Sequence, residues 1–146
     1  MSGLKFDNFF PSVISSKTHG IIDYVHAGAN FAAAALFYKR GDRSAGHAAT
    51  ALGAGVLMNA LMTDYEYGVF RKWGFKTHGI LDYGVAAASA TIPKLLDVDE
   101  GGDAAFFYTQ GGSETLIAGM SDYNDNSGSR RRRRLFDKRY RNRRAA

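Results

Sequence analysis

One octapeptide occurs twice in this chain. Lys17-Thr18-His19-Gly20-Ile21-Ile22-Asp23-Tyr24 returns as Lys76-Thr77-His78-Gly79-Ile80-Leu81-Asp82-Tyr83, with seven of the eight residues identical. Downstream, Met62-Thr63-Asp64-Tyr65 returns as Met120-Ser121-Asp122-Tyr123, and Gly53 is matched by Gly111. Two separate matches in register point to a tandem duplication, so both halves are expected to fold the same way.

Each half reads as a helix opened by Lys-Thr-His-Gly, a polar turn, and a second helix closed by an Asp-Tyr pair. Helices are expected over residues 18–38, 45–62, 77–95 and 104–120. Breakers separate them: Gly41-Asp42 in the first unit, Gly101-Gly102 within 97–103 in the second, and 68–74 between units. Pro93 is expected to end or kink the third helix. Thr18 and Thr77 suit N-cap positions, where a side-chain oxygen accepts an orphan N–H. Asp23 and Asp82 follow their histidines by four residues, which puts each His and Asp on one helix face.

The expected fold is all-α, a four-helix membrane bundle built from two tandem two-helix repeats. An N-terminal segment covers residues 1–16, the bundle 17–124 (repeat one 17–66, repeat two 76–124), and a flexible linker with a basic tail 125–146. At 146 residues the chain has room for one domain. Cysteine is absent, which excludes disulfides, thiolate metal sites and cysteine nucleophiles. The formal charge of +5 hides a division, because the tail is strongly basic while the body before residue 130 is mildly acidic. The mean hydropathy of -0.26 averages an apolar body with that tail.

The membrane expectation rests on what the helices lack. They are rich in Ala and Gly and show no charged outer face of the kind a soluble amphipathic helix presents. Small residues spaced by four, such as Gly28 and Ala32 or Ala86 and Ala90, suit close helix contact in lipid. Tyr24, Tyr38, Tyr65, Tyr67, Trp73, Tyr83 and Tyr123 lie near helix ends, as an interfacial belt would. Against this, the uninterrupted apolar stretches fall short of the roughly 20 residues a span usually needs. The first 19 residues offer no continuous apolar h-region, so the helices themselves are expected to direct insertion. Arg71, Lys72 and Lys76 in the middle connection, and the basic tail, place both termini and that connection on the cytoplasmic side of a bacterial inner membrane. Asp97, Asp99, Glu100 and Asp103 mark the opposite side, while Lys39, Arg40 and Arg43 argue the other way.

The segments Thr63-Asp64-Tyr65-Glu66 and Thr77-His78-Gly79-Ile80-Leu81-Asp82-Tyr83, joined by a short basic connection, resemble the SPW-repeat family of small bacterial membrane proteins. The likeness covers roughly residues 16 to 124, with Thr91-Ile92-Pro93 standing where the family's Ser-Pro-Trp would fall. It implies a four-helix membrane protein and brings no defined activity with it.

The chemistry-bearing residues are His19, Asp23, Asp64, His78, Asp82 and Asp122, which the expected topology gathers in one polar layer. Neither His-x-x-x-Asp segment alone supplies enough ligands for zinc, and haem would need His19 and His78 on facing helices. No nucleophile, base and oxyanion set is recognisable, so no catalytic, cofactor or metal residue is assigned and an enzyme is not expected. Gln110 and Glu114 have Leu52 and Val56 at the matching places of the other half, and are expected to be satisfied within the bundle. In the tail, Arg130, Arg131, Arg132, Arg133, Arg134, Lys138, Arg139, Arg141, Arg143 and Arg144 suit anionic lipid headgroups, a protein partner or nucleic acid. The leading expectation is a non-enzymatic scaffold or accessory subunit of a membrane assembly, with a membrane-protein partner or a second copy. The alternatives are a proton- or ion-conducting bundle using the His/Asp layer, and a soluble basic helical protein that binds nucleic acid.

Overall fold

A computed structural model describes residues 10–98 and 102–124; the basic tail, Asp99 and Glu100 lie outside them. The described residues form four helices and no strand: α1 (Ser16–Arg40), α2 (Arg43–Met62), α3 (Phe75–Leu95) and α4 (Gly102–Met120).

The α1–α2 turn shows how local chemistry sets the path. Gly41 adopts φ 88°, and its N–H caps the carbonyls of Phe37 and Tyr38. Asp42 then opens α2 by accepting the N–H of Ala45 at 2.9 Å. Two residues between helices leave only an antiparallel pairing. The helix starts differ from expectation. The N-cap of α1 is Ser15, whose oxygen accepts the Thr18 N–H, and α3 is opened by Gly74 with no side-chain cap. Thr18 and Thr77 therefore lie inside the first turns. Pro93 sits within the last turn of α3, close enough to its end for the helix to run on to Leu95.

α1 packs on α2 and α3 on α4. The ends of the bundle differ in chemistry. At the end holding the α1–α2 turn, Ala33, Ala34, Phe37, Ala45, Ala49, Leu52 and Phe107 form an apolar core, with Phe37 and Phe107 stacked at 5.8 Å. At the other end, where α1 and α3 begin and α2 and α4 finish, the buried residues are largely polar: Ser16, His19, Asp23, Asn59, Thr63, His78, Asp82 and Ser121.

Two short backbone exchanges close that polar end. Residues 72–73 run beside the end of α2, with the Asp64 N–H on the Trp73 carbonyl at 2.8 Å, and residues 13–14 run beside the end of α4, with the Asp122 N–H on the Ile14 carbonyl at 2.8 Å. Each lead-in to α1 or α3 is thereby pinned to the helix that finishes beside it.

The outer surface reverses the usual order. Between Lys17 and Lys39 of α1 and between Lys76 and Lys94 of α3, no exposed residue is charged, and beyond Arg43 the same holds for α2. On α4 the exposed residues are uncharged throughout. Val25 is 63% exposed, Ile80 57% and Leu36 53%, whereas Asp23, Asp82 and Glu114 are buried. Tyr65, expected at an interface, is instead fully buried.

The close packing of α3 on α4 gives a sharp test. A Cβ on Gly111 would stand 2.8 Å from the backbone oxygen of Ala86, while one on Gly112 meets nothing within 4 Å. Gly111→Ala should therefore cost about 1–3 kcal/mol by forcing the helices apart. Gly112→Ala should be neutral or stabilising by up to about 1 kcal/mol, through helix propensity. Thermal unfolding of the two variants checks the contrast, and equal midpoints would contradict this packing.

Candidate functional site

His19 and His78 are each the fourth residue of their helices, and Asp23 and Asp82 follow one turn later. Because α1 and α3 begin at the same end of the bundle, the four side chains converge. The two Nε2 atoms are 3.0 Å apart. His19 Nε2 lies 3.2 Å from Asp23 Oδ1 and 3.1 Å from Asp82 Oδ2. His78 Nε2 lies 3.3 Å from Asp23 Oδ2 and 3.1 Å from Asp82 Oδ2. All four residues are buried, with both histidines fully excluded from solvent.

The hydroxyl partners fix which ring nitrogen carries hydrogen. Thr63 Oγ1 donates its one proton to the Asn59 carbonyl at 2.6 Å, so at 2.7 Å from His78 Nδ1 it can only accept. Ser121 Oγ donates to the Ile117 carbonyl at 2.7 Å and likewise accepts from His19 Nδ1 at 2.6 Å. Both Nδ1 atoms are therefore N–H donors, and in the neutral rings both Nε2 lone pairs face inward. These contacts cross the chain: the first histidine is held by the hydroxyl that ends α4, and the second by the hydroxyl that ends α2.

The carboxylates are held as well. The Tyr65 hydroxyl donates to Asp23 Oδ2 at 2.9 Å, and Asn59 Nδ2 donates to Asp82 Oδ1 at 2.9 Å. Asn59 is itself oriented by Trp73, whose indole N–H donates to its Oδ1 at 3.0 Å. Burial, with Asp23 beside it, holds the Tyr65 phenol well above its ordinary pKa, so it stays a donor. Asp82 Oδ2 faces only the two Nε2 atoms, at 3.1 Å from each. Phe75 closes the cluster edge-on to His19 at 5.1 Å and lies 4.9 Å from the Tyr123 ring.

The glycine after each histidine makes room for this. A Cβ on Gly20 would stand 2.8 Å from Tyr65 Cε2, and one on Gly79 would collide with the Tyr123 ring. The shared His-Gly-x-x-Asp-Tyr spacing thus combines two inward-facing ligating groups with the gap in which a tyrosine lies across the helix.

Of the six residues expected in one layer, the structure brings together His19, Asp23, His78 and Asp82. Asp64 and Asp122 lie outside the cluster: Asp64 is half-exposed at 3.7 Å from Arg71 Nη1, and Asp122 accepts the Asn124 N–H at 3.0 Å. In the repeated Thr/Ser-Asp-Tyr motif, the residues flanking the aspartate reach the centre. Gln110 and Glu114 are satisfied internally, with Glu114 Oε1 accepting from Gln110 at 3.1 Å and lying 2.9 Å from His26 Nδ1. Haem between His19 and His78 does not fit, since 3.0 Å between the nitrogens leaves no room for a macrocycle. One ligand atom each from His19, Asp23 and His78 can lie within 4.8 Å of one another, a spacing open to a single ion.

Comparison of the chain with protein-family models, curated proteins and solved structures returns no match.

The hydroxyl that holds His78 predicts a simple pattern. Thr63→Val should cost about 1–3 kcal/mol by leaving a buried N–H without an acceptor. Thr63→Ser should restore most of that, because serine already does the same work at Ser121. Unfolding midpoints of the pair decide it, and equal loss in both would show that the methyl group, not the hydroxyl, is what matters.

Proposed function

We propose that this chain is a non-enzymatic integral membrane protein, a duplicated two-helix unit whose four helices cross the bilayer and which acts as a scaffold or accessory subunit. One observation carries the reading: the charged groups of the helical stretches face the interior, and the surface around them is an uncharged belt. Water would favour the reverse arrangement, whereas hydrocarbon penalises exposed charge and leaves an apolar exterior free. At 19 to 25 residues the helices are roughly 28 to 38 Å long, close to the ~30 Å hydrocarbon core.

By length and mean hydropathy only α2, among the described residues, is long and apolar enough to cross a membrane. That measure averages each helix around its circumference. In α1, α3 and α4 it counts buried groups such as Asp23, Asp82 and Glu114, which never meet lipid in a folded bundle.

Duplication with an even number of spans per unit relates the halves by a pseudo-twofold axis along the membrane normal and sets His19 and His78 at equal depth. Their 3.0 Å approach agrees with this. The SPW-repeat likeness, carried by Thr63-Asp64-Tyr65-Glu66 and the His78 to Tyr83 segment, points the same way. Conduction through the bundle is disfavoured, because the buried polar groups give way beyond Asn30 and Ser89 to the alanine and phenylalanine core around Phe37 and Phe107. The basic tail is assigned to anionic headgroups or to a protein partner on the cytoplasmic face of a bacterial inner membrane.

Three results test the reading. The protein should stay with membranes after carbonate washing; release into the wash would favour the soluble nucleic-acid-binding alternative. Reporters fused after Asn124 and within the acidic turn near Gly101 should lie on opposite sides, and finding both on one side would reject four spans. Val25→Lys should impair insertion, at about 2.5–3.5 kcal/mol for a mid-helix cation in lipid, whereas a soluble bundle would tolerate it without loss.

A further inference from the structure

We propose that His19, Asp23 and His78, with Asp82 set against both imidazoles, form a buried site for a divalent transition-metal ion, best matched by zinc, that clamps α1 to α3. The inference does not depend on whether the helices cross a bilayer.

Geometry carries it first. A tetrahedral ion with nitrogen and oxygen ligands at about 2.0–2.1 Å sets neighbouring ligand atoms about 3.3 Å apart. His19 Nε2, His78 Nε2 and Asp82 Oδ2 are separated by 3.0 to 3.1 Å, and Asp23 Oδ1 is 3.2 Å from His19 Nε2. His19, Asp23 and His78 each offer a ligand atom within 4.8 Å of the others, a set that side-chain adjustment can close on one ion.

The hydrogen-bond bookkeeping is independent of those distances. Each ligand has a second heteroatom, and each of these is already held: His19 Nδ1 by Ser121, His78 Nδ1 by Thr63, Asp23 Oδ2 by Tyr65 and Asp82 Oδ1 by Asn59. This is the outer shell that orients metal ligands and fixes the histidine tautomer. What remains points inward: two Nε2 atoms, which are lone pairs in the neutral rings, and two carboxylate oxygens, of which Asp82 Oδ2 meets only those two nitrogens. Lone pairs converging in a dry interior need positive charge among them, supplied either by protons on the imidazoles or by a metal ion. A divalent ion with two neutral imidazoles and two carboxylates sums to zero charge, which suits burial.

Ligand type narrows the ion. Imidazole and carboxylate without thiolate suit zinc and its first-row neighbours rather than copper(I) or an iron–sulfur cluster. The ligand atoms are buried away from solvent and substrate, so an ion here would be structural. Each helix contributes half of the set, so the ion would tie together two halves that could not hold it separately.

The test uses the full chain, purified in mild detergent without chelator. Elemental analysis should find about one zinc per chain, and after stripping, cobalt(II) should give the visible bands of a tetrahedral nitrogen and oxygen site. Zinc should raise the unfolding midpoint of the stripped protein. His78→Gln and Asp23→Asn should abolish the cobalt spectrum, and Glu114→Gln and His47→Ala should retain it. Thr63→Val keeps all four side chains and should weaken metal affinity by about 10- to 100-fold. If the ligand variants fail to fold, the wild-type spectrum and the Thr63→Val affinity decide the matter. Protein isolated without metal, giving no tetrahedral cobalt spectrum and no thermal response to zinc, would overturn the proposal. So would a spectrum that persists in both ligand variants, which would put the ion elsewhere.

Discussion

The rest of this structure depends on satisfying two carboxylates and two imidazoles in a volume that excludes water. An unpaired charge there would cost several kcal/mol, more than most single packing contacts return. The surroundings follow from that constraint. Ser121 and Thr63 hold the rings, Tyr65 and Asn59 hold the carboxylates, Trp73 holds Asn59, and the glycine after each histidine admits a tyrosine. Even the backbone exchanges of Ile14 with Asp122 and Trp73 with Asp64 belong to it, because they fix where the helices carrying these four side chains begin. The far end of the bundle faces no such demand and is packed with alanine and phenylalanine.

Around this shared centre the two halves differ. His26 of α1 meets Glu114 of α4, which also accepts from Gln110, whereas the corresponding places hold Val85, Val56 and Leu52. One side of the bundle is thus joined by a buried polar network and the other by apolar packing. Asn59 reaches the cluster, while Ile117 occupies the equivalent place and lends only its carbonyl to Ser121. Such differences give the molecule two distinguishable faces, which a symmetric bundle would lack.

Much of this was legible in the sequence, for definite reasons. The repeated octapeptide and breaker positions placed all four helices within a few residues, and His-x-x-x-Asp spacing placed the pairs on one face. The helix starts were misread because Thr18 and Thr77 are good capping residues in isolation, while Ser15 and Gly74 open the helices instead. Asp64 and Asp122 carry the charge of their motif yet lie outside the cluster. The short hydroxyls beside them do the work, and nothing in a linear motif tells an aspartate facing outward from a serine facing inward. The hydroxyls could have been found from their pattern, since Thr63 and Ser121 are the one position in that motif that changes residue while keeping its chemical function. Tyr65 was assigned to an interface by its place near a helix end, yet the gap left by Gly20 draws it inside. The convergence of His19, Asp23, His78 and Asp82 is likewise a property of the fold, which neither segment carries alone.

The crossed contacts bear on how such a site could arise. If the chain is a duplicated unit, each copy carries one histidine, one aspartate, one hydroxyl and one tyrosine of the cluster. In the folded chain His19 is held by Ser121 of the second copy and His78 by Thr63 of the first. The Asp23 carboxylate meets the ring of its own copy and that of the other at 3.2 and 3.3 Å. Reciprocal contact of this kind, in which one residue of each copy meets a different residue of the other, is the signature of an isologous twofold interface. A single helix–turn–helix unit with these residues would bury half of the cluster only by pairing with a second copy, leaving its charges uncompensated when alone. Joining the copies in one chain removes the concentration dependence of that pairing. It also frees positions such as Val85 and His26 to differ, since one substitution no longer has to appear on both sides of the axis. On this argument the invariance of the His-Gly-x-x-Asp-Tyr spacing and the divergence around it have a common origin. The centre is constrained because both halves must complete it, and the flanks are released because each half now needs to satisfy only one partner.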